Sequence, residues 1–90
     1  MKFMDAAVNV RTNSRRNLGQ LRKGEGGYIC RLEGPESTVR RLLEMGMVEE
    51  AYVEIVHEAP FGGDPVAVRV RGALLALRRQ EAGCVTVWRD

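Results

Sequence analysis

Apolar and polar residues alternate along most of the second half of the chain. The alternation is clearest where Val66, Val68 and Val70 are separated by Ala67 and Arg69. Successive side chains of a β-strand point to opposite faces, so a two-residue period indicates a strand with one buried face. Five segments have this period or are rich in β-forming residues, namely Tyr28–Leu32, Val53–Glu58, Val66–Arg71, Leu75–Arg78 and Cys84–Trp88. They predict five short strands.

One segment has helical spacing instead. Val39, Leu42 and Leu43 follow each other at i, i+3 and i+4, which places them on one face of an α-helix. The pattern predicts a helix over residues 36–45, with these three side chains on one face.

Residues with special backbone preferences mark the ends of these elements. Ser37 is suited to cap the N-terminus of the helix, and Gly46 is suited to end it in a left-handed conformation. Between the second and third predicted strands, Pro60, Gly62 and Pro65 favour a tight turn.

The chain is long enough for one small domain with a modest core. It has 90 residues, of which 44% are hydrophobic, an ordinary fraction for a globular protein. Five short strands with close turns and one helix predict a mainly β fold, a small closed or nearly closed barrel. Residues 1–17 have no clear period and are interpreted as a flexible leader, and residues 18–90 as the barrel domain.

Charge is distributed unevenly along the chain. Residues 1–23 hold six basic groups and one acidic group, whereas residues 24–58 hold three basic groups and eight acidic groups. A basic leader can attract nucleic acid or an acidic partner, or it can be a solvated tail. Since the basic residues are not interleaved with aromatic ones, a stable nucleic-acid complex is not expected.

Several motifs together resemble the FeoA family, the small cytosolic component of bacterial ferrous-iron uptake systems. They occur in family order as Arg41–Met47, Ala59–Val66, Leu75–Arg79 and Glu81-Ala82, within a resemblance that spans Leu18–Trp88. The chain departs from the family pattern where Val48–Ala51 replaces a turn of the Pro-Gly kind. The leader is also additional.

The resemblance implies an SH3-like fold, a five-stranded β-barrel with a helix inserted after the first strand. It implies no enzymatic activity. It also implies a partner, the membrane permease that carries a cytosolic GTP-binding domain and transports Fe(II). Similar domains form the C-terminal part of iron-dependent transcriptional regulators, so a regulatory SH3-like module is the alternative function.

Contact residues for a partner are expected on the surface of such a small barrel. Arg40, Arg41 and Glu44 fall on the polar side of the predicted helix. Phe61 is an apolar residue in a turn, and it either projects to meet a partner or folds back over the mouth of the barrel. Open strand edges allow a homo-oligomer.

Metal ligands are sparse in this sequence. His57 and Cys84 are the candidates, and no Cys-x₂-Cys or His-x₃-His spacing accompanies them. Cys30 is interpreted as a small apolar residue of the barrel interior. No resident cofactor is therefore expected, although a transient contact with Fe(II) or another divalent ion is compatible with the resemblance.

No segment indicates insertion into a membrane or secretion. The longest apolar run, Ala73–Leu77, has five residues, against roughly 20 needed to cross a bilayer. The N-terminus has no apolar stretch of signal-peptide length. A cytoplasmic protein without direct membrane insertion is expected.

Overall fold

A computed structural model describes residues 15–89 of the chain. Within this range six strands are present: β1 (Arg15–Asn17), β2 (Gly26–Leu32), β3 (Tyr52–Glu58), β4 (Val66–Val70), β5 (Ala73–Leu77) and β6 (Val85–Arg89). Two α-helices accompany them, α1 (Glu36–Glu44) and α2 (Arg79–Ala82), and a 3₁₀ turn covers Leu18–Gln20.

All six strands belong to one antiparallel sheet with the order β1-β6-β2-β3-β4-β5. Helix α1 connects β2 to β3, so the predicted mainly β fold with one inserted helix is confirmed. The sheet has one strand more than the five predicted. In the described range β1 and β5 are its two ends and do not pair with each other, so the hydrogen-bonded ladder is open rather than closed.

The additional strand uses the last three residues of the predicted leader. In β1, Arg15 lies opposite Trp88 and Asn17 lies opposite Thr86 of β6. A three-residue strand is too short to show a period, and for this reason the sequence pattern does not reveal it. Residues 1–14 of the leader lie outside the described residues.

The core lies under one face of the sheet and follows the alternation of the sequence. In β4, Val66, Val68 and Val70 are buried, and in β3, Val53 and Ile55 are buried. Burying these apolar side chains supplies most of the driving force for folding, at about 25 cal/mol per Å² of apolar surface. The strand alternation thus sets which residues form the core.

The alternation is interrupted in β3. The register between β3 and β4 shifts between Ile55 and His57. Such an irregularity redirects the residues that follow it, and His57 is exposed although it continues the Val53–Ile55 series. The periodicity of the sequence does not signal this change of face.

Helix α1 begins at the predicted residue and ends one residue earlier than predicted, but its N-cap is not the predicted one. Gly46 has φ +100, and the N–H of Met47 donates to the carbonyl of Leu42 at 3.0 Å. This is the Schellman arrangement, which favours glycine because the left-handed conformation strains other residues. The predicted N-cap, Ser37, is wrong: the cap position is Pro35, and no side chain caps the helix there.

Candidate partner-binding surface

A groove of about 570 Å³ lies between the end of β2 and helix α1. Apolar side chains line it, namely Leu32, Val39 and Leu43. Charged side chains also line it, namely Glu33, Glu36 and Arg40. An apolar surface bordered by charge has the composition of protein–protein interfaces.

Leu43 shows that residues on one apolar helix face can differ in burial. Its helical spacing places it on one face with Leu42, yet 43% of its surface is exposed whereas Leu42 is buried. In α1 only Leu42 is fully buried, because the helix contacts the rest of the domain along a narrow stripe. The exposed side chain therefore belongs to the groove, and the sequence pattern alone does not separate a groove residue from a core residue.

The connection between β2 and α1 has a tight constraint at Gly34. A Cβ atom at this position would lie 2.5 Å from Sγ of Cys84. The chain can pass this close to the Cys84 side chain, just before β6, because glycine has no side chain of its own. Gly34 therefore fixes where α1 begins relative to β2, and so shapes one side of the groove.

The three charged residues predicted on α1 point in different directions. Arg40 lies at the groove and pairs with Glu36, 2.9 Å away and one helical turn earlier. Arg41 pairs with Glu81 of α2, and Glu44 is exposed at the end of the helix. An exposed pair of the Arg40–Glu36 kind contributes about 0.5 kcal/mol or less, so Arg40 remains available to a partner.

A second cavity of about 550 Å³ lies on the other side of α1. Arg41 and Cys84 both line it, together with Arg78 and Glu81. The structure therefore brings together one predicted contact residue and one predicted metal ligand, although the sequence places them 43 positions apart.

The metal prediction gains no further ligands from the fold. His57 is exposed on β3, and Cys84 is half-buried beside the core. Among residues 15–89 no group of three or more His, Cys, Asp or Glu side chains could hold a metal ion. The pair of His57 and Cys84 remains a prediction from the sequence.

Phe61 is fully exposed at the tip of the loop between β3 and β4. Its backbone has φ +62, a left-handed conformation that is uncommon for a residue with a side chain. The base of the loop is held by a hydrogen bond from the N–H of Ala59 to the carbonyl of Pro65, at 3.0 Å. Asp64 also accepts the backbone N–H of Arg79 at 2.9 Å. The loop therefore displays Phe61 away from the barrel mouth.

Two carboxyl groups, those of Glu58 at the end of β3 and Glu81 in α2, have lowered pKa values. The backbone N–H of Lys23 donates to Glu58 at 2.7 Å, and this bond is the main reason why the pKa of Glu58 is lowered, with Arg22 and Arg79 contributing. Desolvation opposes the shift without cancelling it. Glu81 also has a lowered pKa, chiefly because the side chain of Arg41 donates to it.

These lowered pKa values predict how stability depends on pH. A carboxyl group whose pKa is lower in the folded chain binds fewer protons when the chain is folded. It therefore stabilises the fold at pH values above 4.5, the ordinary pKa of the group. We expect the free energy of unfolding to fall as the pH drops from 4.5 through the folded-state pKa values. Urea denaturation across this range measures the effect.

Single substitutions assign the pH effect to its source. Glu58→Gln should show a shallower acid loss of stability than the native chain. Glu49→Gln is the matched control, because Glu49 is exposed and makes no ion pair within residues 15–89. An unchanged acid slope in Glu58→Gln would contradict the assignment.

The described part of the chain forms a small β domain whose prominent surface features are a groove and an exposed loop. The groove and the Phe61 loop offer apolar side chains bordered by charge. No helix in this part combines the length and hydropathy that crossing a membrane requires. The class is that of a small mainly β domain.

Comparison with known protein families identifies the family to which this domain belongs. The FeoA domain model matches residues 16–89. The chain therefore belongs to the FeoA domain family, which is involved in Fe(II) transport.

Individual relatives agree with this assignment. A fusion of Fe(2+) transport protein A and Fe(2+) transporter FeoB from Porphyromonas gingivalis is 36% identical over 70 residues, which are 78% of this chain and 8% of that protein. The chain thus spans a small part of this relative. FeoA of Chlorobium tepidum is 32% identical with a TM-score of 0.75, over 82% of this chain and 70% of that one.

Two further structures place the fold more precisely. FeoA of Stenotrophomonas maltophilia, solved with zinc and described as an SH3 domain protein, is 28% identical with a TM-score of 0.73, over 83% of this chain and 95% of that one. The predicted SH3-like class is confirmed. A manganese-dependent transcriptional repressor has a TM-score of 0.74 at 18% identity, over 84% of this chain and 42% of that one, and it shares the fold alone.

Proposed function

We propose that this chain is a cytoplasmic accessory protein of ferrous-iron uptake that acts by binding an Fe(II) permease with a GTP-binding domain. The observation that supports this function is the fusion protein of Porphyromonas gingivalis, in which a segment 36% identical to this chain belongs to one polypeptide with the FeoB transporter. A covalent link keeps the two parts at a high effective concentration. A binding surface on this domain would hold the two parts in contact.

The groove between β2 and α1 is the surface we assign to this contact. Leu43 offers an apolar side chain that is partly exposed, and Leu32 and Val39 extend the apolar surface beside it. Burial of this apolar surface would favour binding by about 25 cal/mol per Å². Arg40 and Glu36 supply charges at the same place, which favour one orientation of the partner.

Phe61 is the second contact in this proposal. A fully exposed aromatic ring on a loop with a fixed base loses little conformational freedom when it is bound. Arg41 and Glu44 lie on α1 outside the groove and add charge near it. The permease is expected to cover the apolar residues at the centre of the contact and the charged residues at its border.

A direct binding measurement tests the function and the groove separately. The full chain is titrated onto an FeoB permease in detergent, and the dissociation constant is measured by biolayer interferometry. Leu43→Lys should weaken binding by about tenfold or more, because a charge would be buried in an apolar groove. Leu74→Lys, also an exposed leucine but located on β5, is the matched control and should bind like the native chain.

The possible results have different meanings. If the native chain does not bind the permease, the proposed function is overturned. If it binds and Leu43→Lys binds equally well, the groove is not the contact surface. Phe61→Ser, compared with the native chain in the same titration, then tests whether the Phe61 loop is the contact surface.

A further inference from the structure

Among the described residues, strand β5 is an edge of the sheet that lacks the usual protection. Its five residues, Ala73–Leu77, include no charged residue and no proline, and its pairing with β4 contains no bulge. Within residues 15–89, β4 is its only strand partner, and no turn or loop hydrogen bond between backbone groups reaches it. Natural proteins ordinarily block such edges, because unpaired backbone groups invite another strand.

The opposite edge of the same sheet is protected. Strand β1 has three residues, and two of them, Arg15 and Arg16, are exposed arginines. A short strand with charged side chains is a poor template for pairing. The contrast between the two edges indicates that β5 is available for an additional strand and β1 is not.

The side chains of β5 that face solvent are apolar as well. Leu74 is 64% exposed, and Ala76, on the same face, is exposed. On the inner face Leu77 is buried, and Leu75 is half-buried against the core. A partner strand would therefore meet apolar residues on both faces, and its own side chains would have to be apolar too.

We propose that β5 pairs antiparallel with β5 of a second copy of this chain, around a two-fold axis at Leu75. In this register Leu74 lies opposite Ala76 of the second copy, and Ala73 lies opposite Leu77 of the second copy. Each large side chain then meets a small one, except at the axis, where the two Leu75 residues meet. Cross-strand pairs of this kind are the unit of sheet stabilisation.

Other registers fit this strand less well. A two-fold axis at Leu74 would place Leu77 opposite Arg71, and an axis at Ala76 would place Leu74 opposite Arg78. A shift by a single residue would bring the outer face of one copy against the inner face of the other. The register around Leu75 is the one that pairs all five apolar residues with apolar residues, and it requires no partner other than the chain itself.

The turn before β5 supports the same arrangement. Arg71 has φ +51 and Gly72 has φ +83, so the β4–β5 hairpin closes through a two-residue turn of the mirror-image type. Such a turn fixes the register of β5 on β4. The edge that the second copy meets is therefore already ordered, which lowers the entropic cost of pairing.

Sedimentation equilibrium of the full chain tests the dimer. The native chain should shift from monomer to dimer as its concentration rises from about 10 µM to about 1 mM. Leu74→Lys should weaken dimerisation by about tenfold or more, since charged residues on an edge oppose pairing. Leu43→Lys makes the same change on α1 and should dimerise like the native chain.

Cross-linking tests the register. In a background of Cys30→Ala and Cys84→Ala, Leu75→Cys should form a disulfide-linked dimer on oxidation, because directly opposed residues are within disulfide reach. Ala73→Cys should cross-link much more slowly, since its counterpart in the second copy is Leu77. Circular dichroism of each variant shows that the fold is kept.

Each result decides something. A native chain that stays monomeric at the highest concentration overturns the dimer, as does Leu74→Lys with unchanged dimerisation. Equal cross-linking of Leu75→Cys and Ala73→Cys overturns the register. The two lysine variants also separate this inference from the permease contact, because Leu43→Lys tests the groove and Leu74→Lys tests the edge.

Discussion

Gly27→Ala is expected to remove most of the stability of the domain. A Cβ atom on Gly27 would lie 2.0 Å from the carbonyl oxygen of Trp88 and 2.7 Å from its carbonyl carbon. Both are backbone atoms of β6, so no side-chain rotation relieves the overlap. The two strands must separate, which breaks the ladder between β2 and β6. We expect a cost of about 4 kcal/mol or more, comparable with the whole stability of a small domain, about 5 kcal/mol.

Thermal and urea unfolding of the variant measure this cost. Gly72→Ala is the control, because it introduces the same methyl group where no atom lies within 4 Å, at φ +83. Its cost should be about 1–2 kcal/mol, from the left-handed backbone alone. If Gly27→Ala were no less stable than Gly72→Ala, the close approach of β2 and β6 could not be as described.

The second large effect is expected from Arg79→Ala. The Arg79 guanidinium donates from Nε to the carbonyl of Gly63 at 2.9 Å, and from one terminal nitrogen to the carbonyls of Gly19 at 3.2 Å and Leu21 at 2.5 Å. The other terminal nitrogen donates to Glu58 at 2.9 Å. A single side chain thus joins the 3₁₀ turn, the loop that displays Phe61 and the end of β3.

Removing this side chain leaves several partly buried acceptors without a donor. We expect a loss of about 3 kcal/mol in the free energy of unfolding. Arg79→Lys should restore little of it, because a lysine ammonium cannot reproduce the planar arrangement of the guanidinium donors. Urea midpoints of both variants at neutral pH measure the difference.

Arg40→Ala is the matched control for Arg79→Ala. Its guanidinium is exposed and makes one pair within its own helix, so its removal should change stability by about 0.5 kcal/mol or less. If Arg79→Lys were as stable as the native chain, the positive charge alone would explain the role of Arg79, and the hydrogen-bonding geometry would not matter.

The candidate site shows why sequence patterns predict a core better than a surface. Val66, Val68 and Val70 were predicted correctly because burial is imposed by a period that the sequence displays. Leu43 has the same apolar character as Leu42 and differs only in what lies opposite it in three dimensions. Arg79 follows another arginine, Arg78, and nothing in the local sequence indicates that its acceptors come from segments about 16 and 60 positions away.

Sequence patterns were sufficient to predict the mainly β class, the position of α1, the glycine at its end and the membership in the FeoA family. These properties depend on local periods, local backbone preferences and the order of motifs. Which apolar residues remain outside the core depends instead on tertiary packing. The tertiary structure also decided that β1 joins the sheet and that β5 ends it. These properties depend on contacts between distant segments, which are set by the packing of the whole chain and leave no local pattern.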